Sequence, residues 1–250
     1  MPLPLELIDE IIRYLVHDTK SLRSCSLVAK SWIHLCRKWL FKDVTITSGT
    51  QQQWLDRISP TNVEILCNVR SFTCSYDPSV WRGITPHRID SLYHYFSAFS
   101  HLEALRLFYV FLGPDVPRQI GLYSAFLPTL TSLSIHRASV TSSALIALIN
   151  YFPGLINLDL CSIGHKPDLL PVPRLSRPLR GRLFIDHCSH IDRALFEELT
   201  IPPPQLDKLS LRSVIIPTFY DYIIGTRGGS VKHLQLLGEI RWHRGMSLKA

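Results

Sequence analysis

Side chains able to do chemistry are concentrated at a few points of this chain. His187-Cys188-Ser189-His190 puts two imidazoles and a thiol in one short run, the donor types that hold zinc. Cys161 and His165 repeat the theme more sparsely. Neither group has a second half. The chain contains no C-x-x-C pair, no H-E-x-x-H and no other zinc spacing, so metal ligation is not expected. Nucleophilic catalysis would need a signature such as G-x-S-x-G, and phosphate chemistry a glycine-rich loop; both are missing. The chain therefore reads as non-enzymatic and without a cofactor. The densest charge cluster is basic: Lys166, Arg174, Arg177, Arg180 and Arg182 stand against one acid, Asp168. Such a cluster can receive an acidic or phosphorylated ligand. A solvated loop is the plainer reading and the one preferred on sequence.

The elements that must position these groups follow from a repeat. The pattern L-x-x-L-x-L occurs at Leu102–Leu107, Leu130–Ile135, Leu155–Leu160, Leu206–Leu211 and Val231–Leu236, with a degenerate copy at Leu183-Phe184-Ile185 and another at 69–74. Its second leucine falls at 105, 133, 158, 183, 209 and 234, in steps of 28, 25, 25, 26 and 25 residues. Such regularity marks a stacked repeat, because one strand-plus-helix unit cannot bury its own apolar face. Helices are predicted between the strands over 89–99, 119–127, 142–152 and 192–199, several of them ending at proline. The proline-rich segment 164–182 is predicted as an extended basic loop in place of a helix. Cys188 lies five residues after Leu183, at a slot of the unit that is normally buried, which argues again for structure rather than metal. The unit resembles the leucine-rich repeat of the ribonuclease-inhibitor type, with parallel strands on a concave face and helices on the convex one.

Composition is compatible with this. The chain has 250 residues, 46% of them hydrophobic, and a net charge of +7. No apolar run is long enough for a transmembrane helix, and the start lacks the pattern of a secretory leader. The six cysteines are too scattered for a disulfide framework and read as reduced, mostly buried thiols of a cytoplasmic or nuclear protein. The positive charge is spread out and not interleaved with stacking aromatics, so nucleic-acid binding is not favoured.

The first forty residues carry the other signal. Ile8, Ile11, Ile12 and Leu15 form an i, i+3, i+4, i+7 stripe, with Pro4 at the start and acids in the first turns. Asp18 or Thr19 can cap a second helix and Ser31 a third. Leu3, Leu7, Leu27 and Trp32 are more apolar surface than so small a bundle can hide, which points to a partner. Leu3-Pro4, Glu6, the Ile8/Ile11/Leu15 ladder and Val28-Ala29-Lys30-Ser31-Trp32 resemble an F-box, with Ala29 where the family commonly has cysteine.

The resemblance implies an α/β chain with a three-helix F-box over residues 1–44, a linker leading into the first repeat over 45–68, and a solenoid of about six to seven units over 69–250. The chain ends soon after a repeat strand, which predicts an unfinished solenoid or an exposed edge strand. In function it implies a substrate receptor of a SKP–cullin–F-box ubiquitin ligase. Leu3, Pro4, Ile8, Ile11, Leu15, Leu27, Val28 and Trp32 would form or support the site for a SKP-family adaptor, itself linked to a cullin–RING ligase. Alternatives are an F-box complex without ubiquitin transfer, and a basic repeat scaffold for nucleic acid. Strand alternation assigns the substrate face. One column runs Ala104, Ser132, Asn157, Arg182, Lys208, His233; the next runs Arg106, Ser134, Asp159, Phe184, Ser210, Gln235; beyond lie Phe108, His136, Asp186 and Arg212. The expected recognition residues are Arg106, His136, Arg182, Phe184, Lys208 and Arg212, for an acidic or phosphorylated protein segment.

Overall fold

Helices α1 (Leu5–Tyr14), α2 (Thr19–Cys25) and α3 (Lys30–Leu40) open the chain in a computed structural model, which describes residues 3–47, 50, 53, 63–75, 99–113, 128–166, 173–188, 199, 205–212, 230–237, 239–241 and 247–249. Pro4 precedes α1, and its carbonyl accepts the Ile8 N–H at 3.2 Å. Asp18 caps α2 by accepting from the Lys20 and Ser21 N–H groups at 3.0 and 3.1 Å. The cap expected at Ser31 is not used. Ala29 is already extended, its carbonyl takes the Trp32 N–H at 3.0 Å, and α3 begins at Lys30 without a side-chain cap.

Ile8, Ile12, Leu22 and Cys36 form the buried centre of the three helices, with Leu15, Cys25, Trp32, Leu35, Trp39 and Leu40 packed on it. Ile11 leaves the expected stripe and is 42% exposed. At about 100° per residue, Ile8, Ile12 and Leu15 share one narrow face, while Ile11 sits on the shoulder it shares with Leu7 and Tyr14.

From α3 the chain passes through Phe41 and Lys42 into β1 (Asp43–Thr47). The boundary expected at residue 44 falls inside this strand, and residues 45–47, expected as linker and entry to the first repeat, are its second half. Val44 and Ile46 alternate inward and pair in parallel with Phe72 and Cys74 of β2 (Ser71–Ser75). A short helix, α4 (Val63–Leu66), lies between the two strands in the chain.

The remaining strands are β3 (Ala104–Phe108), β4 (Phe111–Leu112), β5 (Ser132–His136), β6 (Ser139–Thr141), β7 (Asn157–Cys161), β8 (Gly164–Lys166), β9 (Arg180–Asp186), β10 (Gln205–Arg212) and β11 (Ser230–Leu237). One eight-stranded sheet runs β1-β2-β3-β5-β7-β9-β10-β11, every neighbour parallel and in chain order. A second parallel sheet runs β4-β6-β8. The chain is thus α/β, with N-terminal helices leading into a parallel-strand solenoid. An antiparallel pair, β12 (Glu239–Arg241) and β13 (Ser247–Lys249), follows.

Four turns among the described residues bend at a two-residue pivot. Tyr109, Arg137, Ser162 and His187 follow β3, β5, β7 and β9, and all four have left-handed φ between 49° and 56°. Their N–H groups donate to His136, Cys161, Asp186 and Arg212 carbonyls on the next strand, extending the ladder by one rung. The next residue is a buried apolar one in every case: Val110, Ala138, Ile163 and Cys188. Cys188 is therefore the fourth member of a packing row. Its thiol donates to the Leu160 and Asp186 carbonyls at 3.6 and 3.2 Å.

The core is built from the repeat leucines. Leu105, Leu133, Leu158, Leu183 and Leu209 are buried, as the spacing predicts. Leu234 differs and is 43% exposed, because β11 is the last strand of the sheet. Helix α5 (Ser142–Tyr151) occupies the segment predicted over 142–152, and Thr141 Oγ1 caps it by accepting the Ala144 N–H at 3.2 Å. Of the helices predicted over 89–99, 119–127 and 192–199, all but the last residues of the first and third, Phe99 and Leu199, lie outside the described residues.

The segment 164–182 is only in part the expected loop. Gly164–Lys166 is strand β8, and Arg180 begins β9. Residues 173–179 contain no helix and are clasped to α5. Asn150 donates from Nδ2 to the Arg174 carbonyl and accepts from the Ser176 N–H, both at 2.9 Å. The Arg177 guanidinium donates to the Phe152 and Pro153 carbonyls, satisfying acceptors just past the helix end. Burial holds its pKa below the ordinary arginine value. Arg177 is thereby a structural residue, and the basic loop loses one of its cations as a ligand contact.

Candidate interaction surfaces

The helical module and the eight-stranded sheet each present a surface that the fold does not consume. On the module, Leu3, Leu5, Leu7, Ile11, Tyr14, Leu27 and Val28 are all exposed, Tyr14 to 88%, Leu27 to 86% and Val28 to 67%. Leu7, Ile11 and Tyr14 form an i, i+4, i+7 ridge on α1; Leu27 and Val28 lie in the turn after α2. Water-facing apolar side chains in this number, on so small a unit, are unusual unless a partner covers them.

The expected adaptor residues therefore divide into two groups. Leu3, Pro4, Ile11, Leu27 and Val28 are exposed. Ile8 is core, and Leu15 and Trp32 are half-buried against that core. Ile8 can shape the surface only from behind, while Leu15 and Trp32 pack on the core and remain partly exposed. Sequence reasoning missed Leu5 and Tyr14. Neither stands in the apolar stripe, and only an explicit helical wheel would have placed Tyr14 beside Leu7 and Ile11.

On the eight-stranded sheet the register joins the predicted columns residue by residue. Ala104, Ser132, Asn157, Arg182, Lys208 and His233 are successive partners across β3, β5, β7, β9, β10 and β11. Arg106, Ser134, Asp159, Phe184, Ser210 and Gln235 form the next row. The third row is Phe108, His136, Cys161, Asp186 and Arg212. A bulge at Asp207 absorbs the extra residue of β10 and leaves Lys208 beside Arg182.

All six expected recognition residues thus share one face, but they do not form one basic patch. Arg106 stands apart on β3 and donates to Ser71 Oγ at 3.2 Å. His136 stacks on Phe108 with ring centroids 4.6 Å apart, and burial lowers its pKa, with Asp159 opposing. Arg182, Phe184, Lys208 and Arg212 do lie together on β9 and β10, with the Arg182 guanidinium 6.0 Å from the Phe184 ring centroid. That geometry fits a cation–π contact.

The predicted set omits two acids at the centre of the face. Asp159 is the register neighbour of Phe184, and Asp186 is the register neighbour of Arg212. Asp159 Oδ2 accepts from Ser134 Oγ at 3.2 Å, while its Oδ1 is buried with no hydrogen-bond partner among the described residues. An orphaned buried acceptor costs about 1–3 kcal/mol. Asp186 Oδ1 lies 2.5 Å from His187 Nδ1, a pair that is ionic when the imidazole is protonated. Strand alternation had already put both acids on this face; the clustered arginines drew the reading toward a single sign of charge.

Cys161 and Cys188 are poor nucleophiles. Burial first, then the Asp186 and Asp159 carboxylates, push the Cys161 thiol up to about 12. Burial pushes Cys188 up to about 11. The thiolate is the reacting species, so both should stay unmodified when the native protein meets iodoacetamide near pH 8, while exposed Cys67 is alkylated. Peptide mass spectrometry after a short pulse checks this. Alkylation of Cys161 as fast as Cys67 would contradict the carboxylate environment described for it.

No family model matches the chain, and no curated protein matches it.

Proposed function

We propose that this chain is an F-box protein with leucine-rich repeats, acting as the substrate-recognition subunit of a SKP–cullin–F-box ubiquitin ligase. The observation that carries the proposal is the exposed apolar set on a module with its own core. Leu3, Pro4, Ile11, Leu27 and Val28 are at once the motif positions and water-facing side chains. A three-helix unit that buries Ile8, Ile12, Leu22 and Cys36 yet exposes these residues is built to be covered. A SKP-family adaptor is the partner the motif implies, and a cullin–RING ligase is what that adaptor brings. The solenoid supports the finer reading of leucine-rich repeats through its 25- to 28-residue period.

In this role the chain does no bond chemistry. It holds a protein substrate on the concave face, in the cytoplasm or nucleus, at high effective concentration near a ubiquitin thioester. Arg182, Lys208 and Arg212 favour an acidic or phosphorylated segment there.

The test is co-purification. Replacing Leu3 and Pro4 together with alanine should abolish capture of the adaptor and cullin while the repeats melt as in the parent. Substrates of the parent should then accumulate. Unchanged adaptor capture would rule out the F-box assignment; loss of the adaptor without any accumulating protein would favour a complex that does not transfer ubiquitin.

A further inference from the structure

Residue Phe184 sits between charges of opposite sign on its own strand. Arg182 and Asp186 are two residues before and after it, so strand alternation puts all three side chains on the same face of the sheet. Neighbouring strands add a cation beside Arg182 and an acid beside Phe184, while Asp186 has Arg212 as its own register neighbour on β10. Lys208 lies beside Arg182 in register, and Asp159 lies beside Phe184 on the other side. Neither Arg182 nor Lys208 has a carboxylate partner among the described residues. Asp159 Oδ1 is buried and has no donor there. Arg182 and Lys208 thus lack a carboxylate and Asp159 keeps one oxygen without a donor, whereas Asp186 is flanked by Arg212 and has His187 Nδ1 2.5 Å from its Oδ1.

Resting on the reading of this face as a substrate site, we propose that it is bipolar. It takes an extended protein segment carrying one basic and one acidic or phosphorylated side chain, with an apolar side chain between them. The basic side chain meets Asp159 and Asp186, the apolar one meets Phe184, and the anion meets Arg182 and Lys208. The spacing follows from β9. Its Arg182 and Asp186 are four residues apart, about 13 Å along a strand. An extended ligand therefore carries its two charges about four residues apart. A uniformly acidic segment would satisfy Arg182 and Lys208 but would drive a carboxylate against Asp159, and the face selects against it.

The experiment is selection of a random twelve-residue peptide display library, run with and without enzymatic phosphorylation, on the full-length protein. Enriched peptides should pair a basic with an acidic or phosphorylated residue three to five positions apart. Asp159→Asn with Asp186→Asn should weaken them at least tenfold and abolish the preference for the basic residue. Arg182→Gln with Lys208→Gln should weaken them as much and abolish the preference for the anion. Enrichment of acidic peptides lacking a basic residue, bound equally by the two-Asn variant, overturns the bipolar proposal and leaves the acidic-ligand reading standing. Peptides indifferent to both variant pairs, or no enrichment at all, overturn both. Circular dichroism of each variant excludes unfolding as the cause of a loss.

Discussion

A chain carrying Leu7→Glu and Leu27→Glu should fold as the parent does and capture no SKP-family adaptor. Both side chains already face water, Leu7 to 48% and Leu27 to 86%, so a carboxylate there desolvates nothing in the free protein. Leu7 lies within α1, where glutamate is a good helix former. In a complex the same carboxylates would have to enter an apolar contact. Interface anchors are worth about 2 kcal/mol or more each, roughly 30-fold in affinity, and two of them remove binding from the measurable range. Ile12→Ala provides the contrast. Ile12 is fully buried, so truncation costs about 2–5 kcal/mol and melts the three helices. Adaptor binding is lost in both variants, but helical signal near the module's transition is lost only in the second. Calorimetry on the full chain together with adaptor pull-down separates the two. Adaptor capture at parental level by the double-glutamate chain would sink the docking assignment.

What the sequence made legible is what repeats. The columns of the sheet follow from a period of about 25 residues combined with strand alternation. The register confirms them from Ala104 to His233, even across the bulge at Asp207. Cys188 could be moved from ligand to packing residue by counting from Leu183, because a period constrains every slot in the turn. Features that depend on one turn's own contacts were not legible. The clasp from Asn150 to residues 174 and 176 spans turns and leaves no local pattern. Arg177 looks like a ligand contact until its guanidinium is seen on the helix-end carbonyls. The left-handed residues Tyr109, Arg137, Ser162 and His187 share a position but no residue type, so nothing in their identity announces φ above zero. On α1, Ile11 fits the apolar spacing as well as Ile12 does; only packing against α3 decides which turns inward. The candidate surfaces were legible by position. Their charge balance was not, because it depends on which side chains of neighbouring strands meet: Asp159 lies beside Phe184 and Asp186 beside Arg212.

Gly181→Ala should be among the most destabilising single substitutions in the solenoid. Gly181 has φ +73°, a region in which an L side chain crowds its own backbone. A Cβ there would lie 2.3 Å from Ile156 Cγ2 and 2.5 Å from the Ile156 carbonyl oxygen. The side-chain contact could relax, but the carbonyl is held, because it accepts the Arg182 N–H at 2.7 Å. A left-handed alanine costs roughly 1–2 kcal/mol, and a clash that cannot relax adds about 1–3 kcal/mol. The sum is a large part of the roughly 5–15 kcal/mol that holds a domain together. Gly164→Ala is the internal control: its nearest contact would be the Ala138 carbonyl at 3.7 Å, ordinary van der Waals distance, so it should leave stability nearly unchanged. Urea denaturation of both variants checks the difference, and equal midpoints would refute the packing described here. The damage also has an address. Gly181 lies in β9 beside Arg182 and two residues from Leu183, where β9 joins β7, so strain there displaces Arg182 and Phe184 together. The separate helical core built on Ile8, Ile12, Leu22 and Cys36 is untouched. At temperatures below global unfolding, Gly181→Ala should therefore lose ligands of the Arg182–Phe184 face while it still binds through the N-terminal helices, the reverse of the double-glutamate chain.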